Sequence, residues 1–467
     1  MIRELAIENF KSIGAELRLE LRPLTLLFGR TGSGKSNILE ALWRFARLVA
    51  GEKGMDRLHA VPPAYPSEDM VFHKRDTSRP LKMELHVEPS EEERERLNEL
   101  AKPLGKRLEA GDTIGWRIIY SSIWRSQAVL LAEEELVEVE QVRHGDTWGR
   151  PWIKCPEGFE ELIVGTPTSL NPRNVYTATV REMPITTFRR YFAQEELLPK
   201  YRPFMELAVE IVRVVSKRLA GEGKCRVALL PPLRGHIPFT VELREQKAVK
   251  AQASASASAG GVAVQEDTIT MLTLMADSRA YKESWEAVCR WARRFGLADM
   301  RSGLRREKGA WALGADYFDE VFHAVLDAAL ASHGMKQALA MIAQLFWPEH
   351  AVVLIEEPEI SLHPEAVAML PLMFYDAIKM GKQIIATTHS PILPLAISRM
   401  VEKAREEGFA ERAEELIAVY EIDRTSEGTV AKRLKLDEWG YIEGYVPSFF
   451  KVESELLREW ERRLPSE

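Results

Sequence analysis

The chain has 467 residues, room for roughly three domain-sized units and for a large buried core. Lysine and arginine number 63 against 70 aspartates and glutamates, a net charge of −7, which excludes a histone-like or ribosomal-type basic chain. That balance leaves a local basic patch open, because net charge says nothing about distribution.

Cys155, Cys225 and Cys289 are widely spaced and form no CxxC or Cys/His cluster, which argues against a disulfide framework or a zinc site and fits a reducing cytoplasm. The opening Met1-Ile2-Arg3-Glu4-Leu5 lacks the apolar stretch of a signal peptide. No run of about 18 apolar residues occurs, so no membrane partner is expected. Asparagine is scarce beside abundant arginine and glutamate, the composition of a thermophilic source or of a biased genome.

In chain order, residues 2–9 and 15–21 alternate apolar and polar, as half-buried strands do. Leu24-Thr25-Leu26-Leu27-Phe28 predicts a fully buried strand, followed by a Gly-rich turn and a helix from about Lys35 to Ala50. Residues 51–78 read as irregular loop, and residues 79–88 and 112–144 as strands. Between those strands a charged helix is expected over 90–110, with Ser90 as its N-cap. Residues 185–220 read as mostly helical and 225–230 as a strand. Residues 249–264 carry an alanine/serine/glycine repeat that reads as a linker or mobile loop. Residues 268–347 read as helix-rich. Two buried strands, 351–355 and 383–387, are separated by a helix, and a strand near 416–422, a small β region and a charged helix follow.

The expected fold is therefore α/β: one mixed-sheet core, interrupted by an antiparallel β subdomain and a helical lobe. Its expected divisions are 1–50, holding the Gly-rich loop; 51–235, an inserted β-rich and helical region; 236–347, the helical lobe; and 348–467, the second part of the core.

Three motifs carry chemistry. Gly29-Arg30-Thr31-Gly32-Ser33-Gly34-Lys35-Ser36 fits GxxxxGK[ST] between a strand and a helix. Glycines let backbone N–H groups curl around a phosphate, and the helix N-terminus adds partial positive charge. Lys35 would reach the β- and γ-phosphates of ATP, and Ser36 would ligate Mg²⁺. Val352–Ile355 then ends in Glu356-Glu357-Pro358-Glu359, placing acids at the carboxyl edge of the sheet, where open α/β folds bind ligands. Glu356 would sit near Mg²⁺, and Glu357 would polarise the attacking water as general base. Gln383–Thr388 ends at His389, followed by Ser390 and Pro391 as cap and first helical residue. Alone His389 reads as structural; beside the other two motifs it reads as a contact to the γ-phosphate. Ser332-His333-Gly334 precedes a helix and fits either an anion contact or an ordinary cap and turn.

The order of these motifs resembles the ATP-binding-cassette-type ATPase heads of the structural-maintenance-of-chromosomes, RecF-type and OLD-type group. It is most similar to the stand-alone AAA-family ATP-binding members. The resemblance rests on Leu5–Ser12, on the phosphate loop continuing Ser36-Asn37-Ile38-Leu39-Glu40, on Glu356–Pro364, on Thr387–Pro391 and on Trp439–Phe450. It is strong over about 1–50 and 330–450 and loose between. It implies a P-loop NTPase fold of ABC-ATPase type whose heads dimerise around ATP. Ser332 and Gly334 would then contact the γ-phosphate held by the partner, His389 would be the switch histidine, and the region after His363 would join the dimer contact. DNA and a separate nuclease or effector are the further partners it implies, in repair or defence.

This sequence departs from the group at Thr31, where asparagine is usual, and at Ala331-Ser332-His333-Gly334-Met335, where the group has a Leu-Ser-x-Gly-Gly-type signature. The glutamine of the group's Mg²⁺-binding loop has three candidates, Gln127, Gln141 and Gln194. No heptad run supplies coiled-coil arms. The stretch after His389 is expected to be too short for a Toprim nuclease domain. A basic stretch from Arg293 to Lys308, near Trp291 and Trp311, reads as a nucleic-acid contact or as a solvated face with acidic partners. Arg189 and Arg190, beside Phe188 and Tyr191, read the same two ways. Two functions stay open: an ATP-hydrolysing switch, and a nucleotide-gated scaffold with little turnover. A transporter energy subunit would need the missing signature.

Overall fold

The computed structural model describes residues 1–50, 64–120, 123–130, 134–144, 147–154, 162–163, 198–221, 224–232, 234, 241–242, 268–307, 310–443, 454–460 and 462. The 249–264 repeat, Gln194, Cys155, Lys308, the 188–191 cluster and 447–450 lie outside them.

The amphipathic N-terminal segments form β1 (Ile2–Glu8) and β2 (Leu17–Glu20), and the apolar run forms β3 (Leu24–Phe28), buried at every position. Helix α1 (Lys35–Ala50) follows the Gly-rich loop. Next come β4 (Leu81–Val87) and α2 (Glu91–Ala101). Ser90 caps α2 in a capping box with Glu93. The helix is shorter than the expected 90–110: Pro103 tightens the chain into one 3₁₀ turn, and Gly105 at φ 69° closes it. The antiparallel meander β5 (Ile114–Tyr120), β6 (Ile123–Leu130), β7 (Glu134–His144), β8 (Thr147–Lys154) and β9 (Leu162–Ile163) precedes α3 (Leu198–Leu219) and β10 (Val227–Leu230).

The region expected to be helix-rich holds α4 (Thr268–Asp277) and α5 (Lys282–Arg294), but also an antiparallel sheet. Its strands are β11 (Ala298–Glu307), β12 (Ala310–Asp319) and β13 (Ala324–Asp327). β12 pairs with β11, with β13 and with the short strand Val241–Glu242. Burial of Leu313, Ala315 and Tyr317 against the helices overrides the helix-tolerant composition. Helix α6 (His333–Phe346) leads to β14 (Val352–Glu356), α7 (Leu370–Lys379), β15 (Gln383–Thr388), α8 (Ile392–Glu406), β16 (Ile417–Thr425) and β17 (Gly428–Leu434).

The chain divides into two units. The first comprises Met1–Leu21, Glu40–Val227 and Arg424–Ala431. Its eight-stranded sheet has the order β2-β1-β4-β5-β6-β7-β8-β9, antiparallel throughout. Within it, the nearly buried Glu84 carboxylate accepts from His86 Nε2 at 2.6 Å and Arg117 Nε at 2.7 Å.

The second unit comprises Arg22–Leu39, Ala228–Asp423 and Lys432–Glu467. The six-stranded sheet has the order β10-β14-β15-β3-β16-β17. β14, β15, β3 and β16 run parallel. Parallel strands buried on both faces need near-continuous apolar sequence, which Leu24–Phe28, Val352–Ile355 and Gln383–Thr388 supply with help from buried threonines. Residues brought together from 24–28, 228–230 and 269–442 share one core. Among the described residues no helix is long and apolar enough to cross a membrane.

Candidate nucleotide site

Register brings the motifs together at one edge of the parallel sheet. Thr388 pairs with Phe28, and Thr387 pairs with both Leu27 and Glu356. The strands therefore end side by side, and the residues that follow them, Gly29, Glu357 and His389, emerge at the same edge.

The phosphate loop is shaped by its glycines. Gly29 passes so close to β16 that a Cβ there would stand 2.1 Å from the Ile422 carbonyl oxygen, so no other residue fits. Gly32 and Gly34 have φ of 81° and 105°. Asn37 and Ile38 donate their amides to the Gly34 carbonyl as α1 begins, and the Ser33 amide bonds the Arg30 carbonyl. Lys35 is 5% exposed, and its Nζ donates to the carbonyls of Gly29 at 2.8 Å and Arg30 at 2.9 Å. Burial pushes the Lys35 ammonium below the ordinary lysine range, against the pull of Glu357, Glu359 and Glu356. These weak neutral acceptors hold a buried cation at the loop, which a phosphate can replace with full charge.

The acidic tip is strained. Glu357 has φ 47°, a region few non-glycine residues adopt. Its amide bonds the Thr387 carbonyl at 3.0 Å and Thr387 Oγ1 at 3.3 Å, fixing the turn to β15. Its carboxylate stands 3.8 Å from His389 Nε2, beyond a direct hydrogen bond, with both side chains about one-third exposed. Burial, then the Lys35 charge, pushes the His389 imidazole below its ordinary 6.5, against Glu357 and Glu359, so the ring is neutral at pH 7. Ser36 Oγ donates to Glu356 Oε2 at 2.8 Å. A hydroxyl and a carboxylate meeting at a phosphate loop are hard oxygen donors of the kind Mg²⁺ takes beside nucleotide phosphates. Among the described residues no group of three or more His, Cys, Asp or Glu comes together as a metal cage.

Glu359 is a site residue that the sequence motifs left without a role. Its Oε1 accepts from Thr388 Oγ1 at 2.8 Å and from the His389 amide at 2.7 Å. It thus ties the acidic turn to the tip carrying the histidine. Its position as a third acid in Glu-Glu-Pro-Glu was the available signal.

Ser332 and Gly334 lie at the N-terminus of α6. Ser332 is exposed and caps the helix, accepting from the Met335 amide at 3.3 Å. Gly334 packs against the turn after the acidic strand, where a Cβ would stand 2.4 Å from the Ser361 carbonyl oxygen. Both residue types are thus accounted for within one chain. Gln127 and Gln141 lie on β6 and β7. Much of the basic stretch has acidic or aromatic partners. Arg293 bonds Glu320 at 3.0 Å, Arg305 pairs with Asp316 and Asp327 at 2.7 Å each, and Arg294 stacks 4.5 Å over Trp291. This favours the solvated-face reading of that stretch.

The family comparisons fall on the two halves of this site. A model described as "AAA ATPase domain" matches residues 1–98, which hold the phosphate loop. A model described as "AAA domain, putative AbiEii toxin, Type IV TA system" matches residues 239–396, which hold the acidic strand and His389. Both parts of the site thus fall within matches to AAA-type ATPase domains. Solved structures similar to this chain include an SMC head bound to the C-winged helix domain of ScpA, 12% identical with a TM-score of 0.44, covering 93% of this chain and 98% of that one. The SMC head domain from Thermotoga maritima is 12% identical with a TM-score of 0.39, covering 93% and 99%. An SMC head with an extended coiled coil, bound to the C-terminal domain of ScpA derived from Pyrococcus furiosus, is 12% identical with a TM-score of 0.40, covering 97% and 99%. No curated protein matches the sequence.

Proposed function

We propose that this head binds ATP with Mg²⁺ and hydrolyses it, using the cycle as a conformational switch. The observation that carries the reading is the convergence of buried Lys35, the Ser36–Glu356 pair, Glu357 and His389 at one sheet edge. Loop amides and Lys35 would hold the β- and γ-phosphates. Ser36 and Glu356 would hold Mg²⁺, which supplies charge neutralisation between the phosphates. Glu357 would take the proton of the attacking water, and neutral His389 would orient the γ-phosphate by a hydrogen bond. This catalysis is mostly positioning and electrostatics.

By the group's resemblance, two heads would close around ATP, with exposed Ser332 reaching the partner's nucleotide. Action on DNA or on a separate effector, in repair or defence, rests on the same resemblance. A second reading, a nucleotide-gated scaffold with little turnover, is favoured by the departure at the signature and by the packing of Gly334 on Ser361 within its own chain.

Nucleotide binding by wild type and Lys35→Ala, read with particle size with and without ATP, tests the switch. Tight Mg·ATP binding lost in Lys35→Ala, with an ATP-dependent increase in size, supports it. An unchanged size at saturating ATP would remove the dimer from the account.

A further inference from the structure

The acidic turn poses a hydrogen-bonding problem. After β14 the chain leaves the sheet ladder with Glu357 in a left-handed conformation and Pro358 next. The carbonyls of this turn need donors, because buried carbonyls without them are costly, and the Ile360 amide donates to the Glu357 carbonyl at 3.1 Å.

One side chain reaches the carbonyls of Glu356, Glu357 and Pro358. Arg234, four residues after β10, is 3% exposed. Its Nη1 donates to the Glu356 carbonyl at 3.0 Å and to that of Pro231 at 3.1 Å. Its Nη2 donates to the Glu357 carbonyl at 3.3 Å and to that of Pro358 at 3.1 Å. A planar guanidinium with donors in a fixed fork can hold several carbonyls in one geometry, and a lysine ammonium cannot reproduce that fork. Burial lowers the Arg234 pKa to about 10, against Glu359 and Glu357, so the charge persists at neutral pH.

The Arg234 backbone has a second tie. Its amide donates to Gln337 Oε1 at 3.0 Å, and Gln337 is wholly buried in α6. Gln337 Nε2 in turn lies 3.1 Å from His333 Nε2, in the first turn of that helix. A continuous set of hydrogen bonds therefore runs from the exposed start of α6 to the peptide groups on both sides of Glu357.

We propose that Arg234 is a positioning residue: it fixes the turn that aims the Glu357 carboxylate, and it ties that turn to the helix beginning at His333. The proposal rests on the reading of Glu357 as the base. Arg234 is nearly buried with both Nη groups committed to main-chain carbonyls, so its substitution should act on the chemical step and leave nucleotide affinity alone.

The test compares wild type, Arg234→Lys and Gln337→Met in Mg·ATP turnover, KM and nucleotide affinity. Arg234→Lys is expected to lower kcat about 10- to 100-fold, the scale of a small misplacement of a catalytic group, with KM changed less than about threefold. Gln337→Met is expected to lower kcat by a smaller factor in the same pattern. It carries the test alone if Arg234→Lys does not fold. A folded variant with wild-type kcat, or one losing affinity and kcat in parallel, overturns the proposal. Absence of turnover in wild type would count against the ATPase reading instead. Hydrogen exchange then decides for Arg234: the variant should exchange faster over 352–363 than wild type while 24–36 stays unchanged, and equal exchange over 352–363 refutes it.

Discussion

Ser36 Oγ donates a hydrogen bond to Glu356 Oε2 at 2.8 Å, across 320 positions of sequence. The pair joins the first turn of α1 to the end of β14 and marks where phosphate loop and acidic strand meet. Neutralising it from the Glu356 side, with Glu356→Gln, keeps the shape and an acceptor for Ser36 but removes one hard anionic donor. The expected outcome is a Mg²⁺ requirement raised by about tenfold or more, the scale of losing one such ligand interaction, read by titrating Mg²⁺ against nucleotide binding.

His389 should give the activity its acid limb. Its folded pKa lies below 6.5, so the ring is neutral above that value and gains a proton as pH falls through it. A protonated ring 3.8 Å from Glu357 would pair with the carboxylate and make it a poorer base. Turnover is therefore expected to be flat from about pH 7 to 8 and to fall below the ordinary histidine range. His389→Ala should be slower throughout and lose that limb. An unchanged limb in the variant would assign it to another group.

Gly334 separates packing within the chain from contact with a partner. A Cβ at 2.4 Å from the Ser361 carbonyl must displace backbone, so Gly334→Ala is expected to cost about 1–3 kcal/mol of stability. Ser332→Ala, losing only a helix cap, should cost about 1 kcal/mol. Denaturant unfolding of both checks this. If Ser332→Ala also abolishes ATP-dependent association at full stability, the hydroxyl serves the partner's site as well.

Glu84 is a stability element remote in sequence from the motifs. Although burial opposes ionisation, hydrogen bonds from His86 and Arg117 hold its pKa down at about 2, below the ordinary 4.5. Between those values the unfolded chain binds the extra proton, so stability rises with pH there. The contribution is complete above about 4.5 and is lost as pH falls towards 2. Glu84→Ala is expected to cost about 3–5 kcal/mol at pH 7, the scale of breaking a buried ion pair, with a shallower acid-unfolding profile than wild type.

The parts of the site legible in the sequence are those whose chemistry fixes residue type at short spacing. The phosphate loop needs glycines where the backbone turns and a lysine at the helix start, and Glu356, Glu357 and His389 follow apolar strands that could only be buried. Arg234 was not legible, because its partners are carbonyls 122, 123 and 124 positions away, which any residue type could supply. The sheet over Ala298–Asp327 was missed for a related reason. Arg-rich β11 has little strand character alone and becomes a strand through its register with β12, where Leu304 faces Leu313. The end of α2 was readable at Pro103 and Gly105, and the expected 90–110 helix ran past both.

Steady-state hydrolysis of Mg·ATP by wild type and Glu357→Gln tests the central claim most directly. The variant is expected to lose about 100-fold or more in turnover, the scale of a general base, while binding Mg·ATP as tightly as wild type. Hydrolysis by Glu357→Gln at the wild-type rate would contradict the assignment of the base and the account built on it.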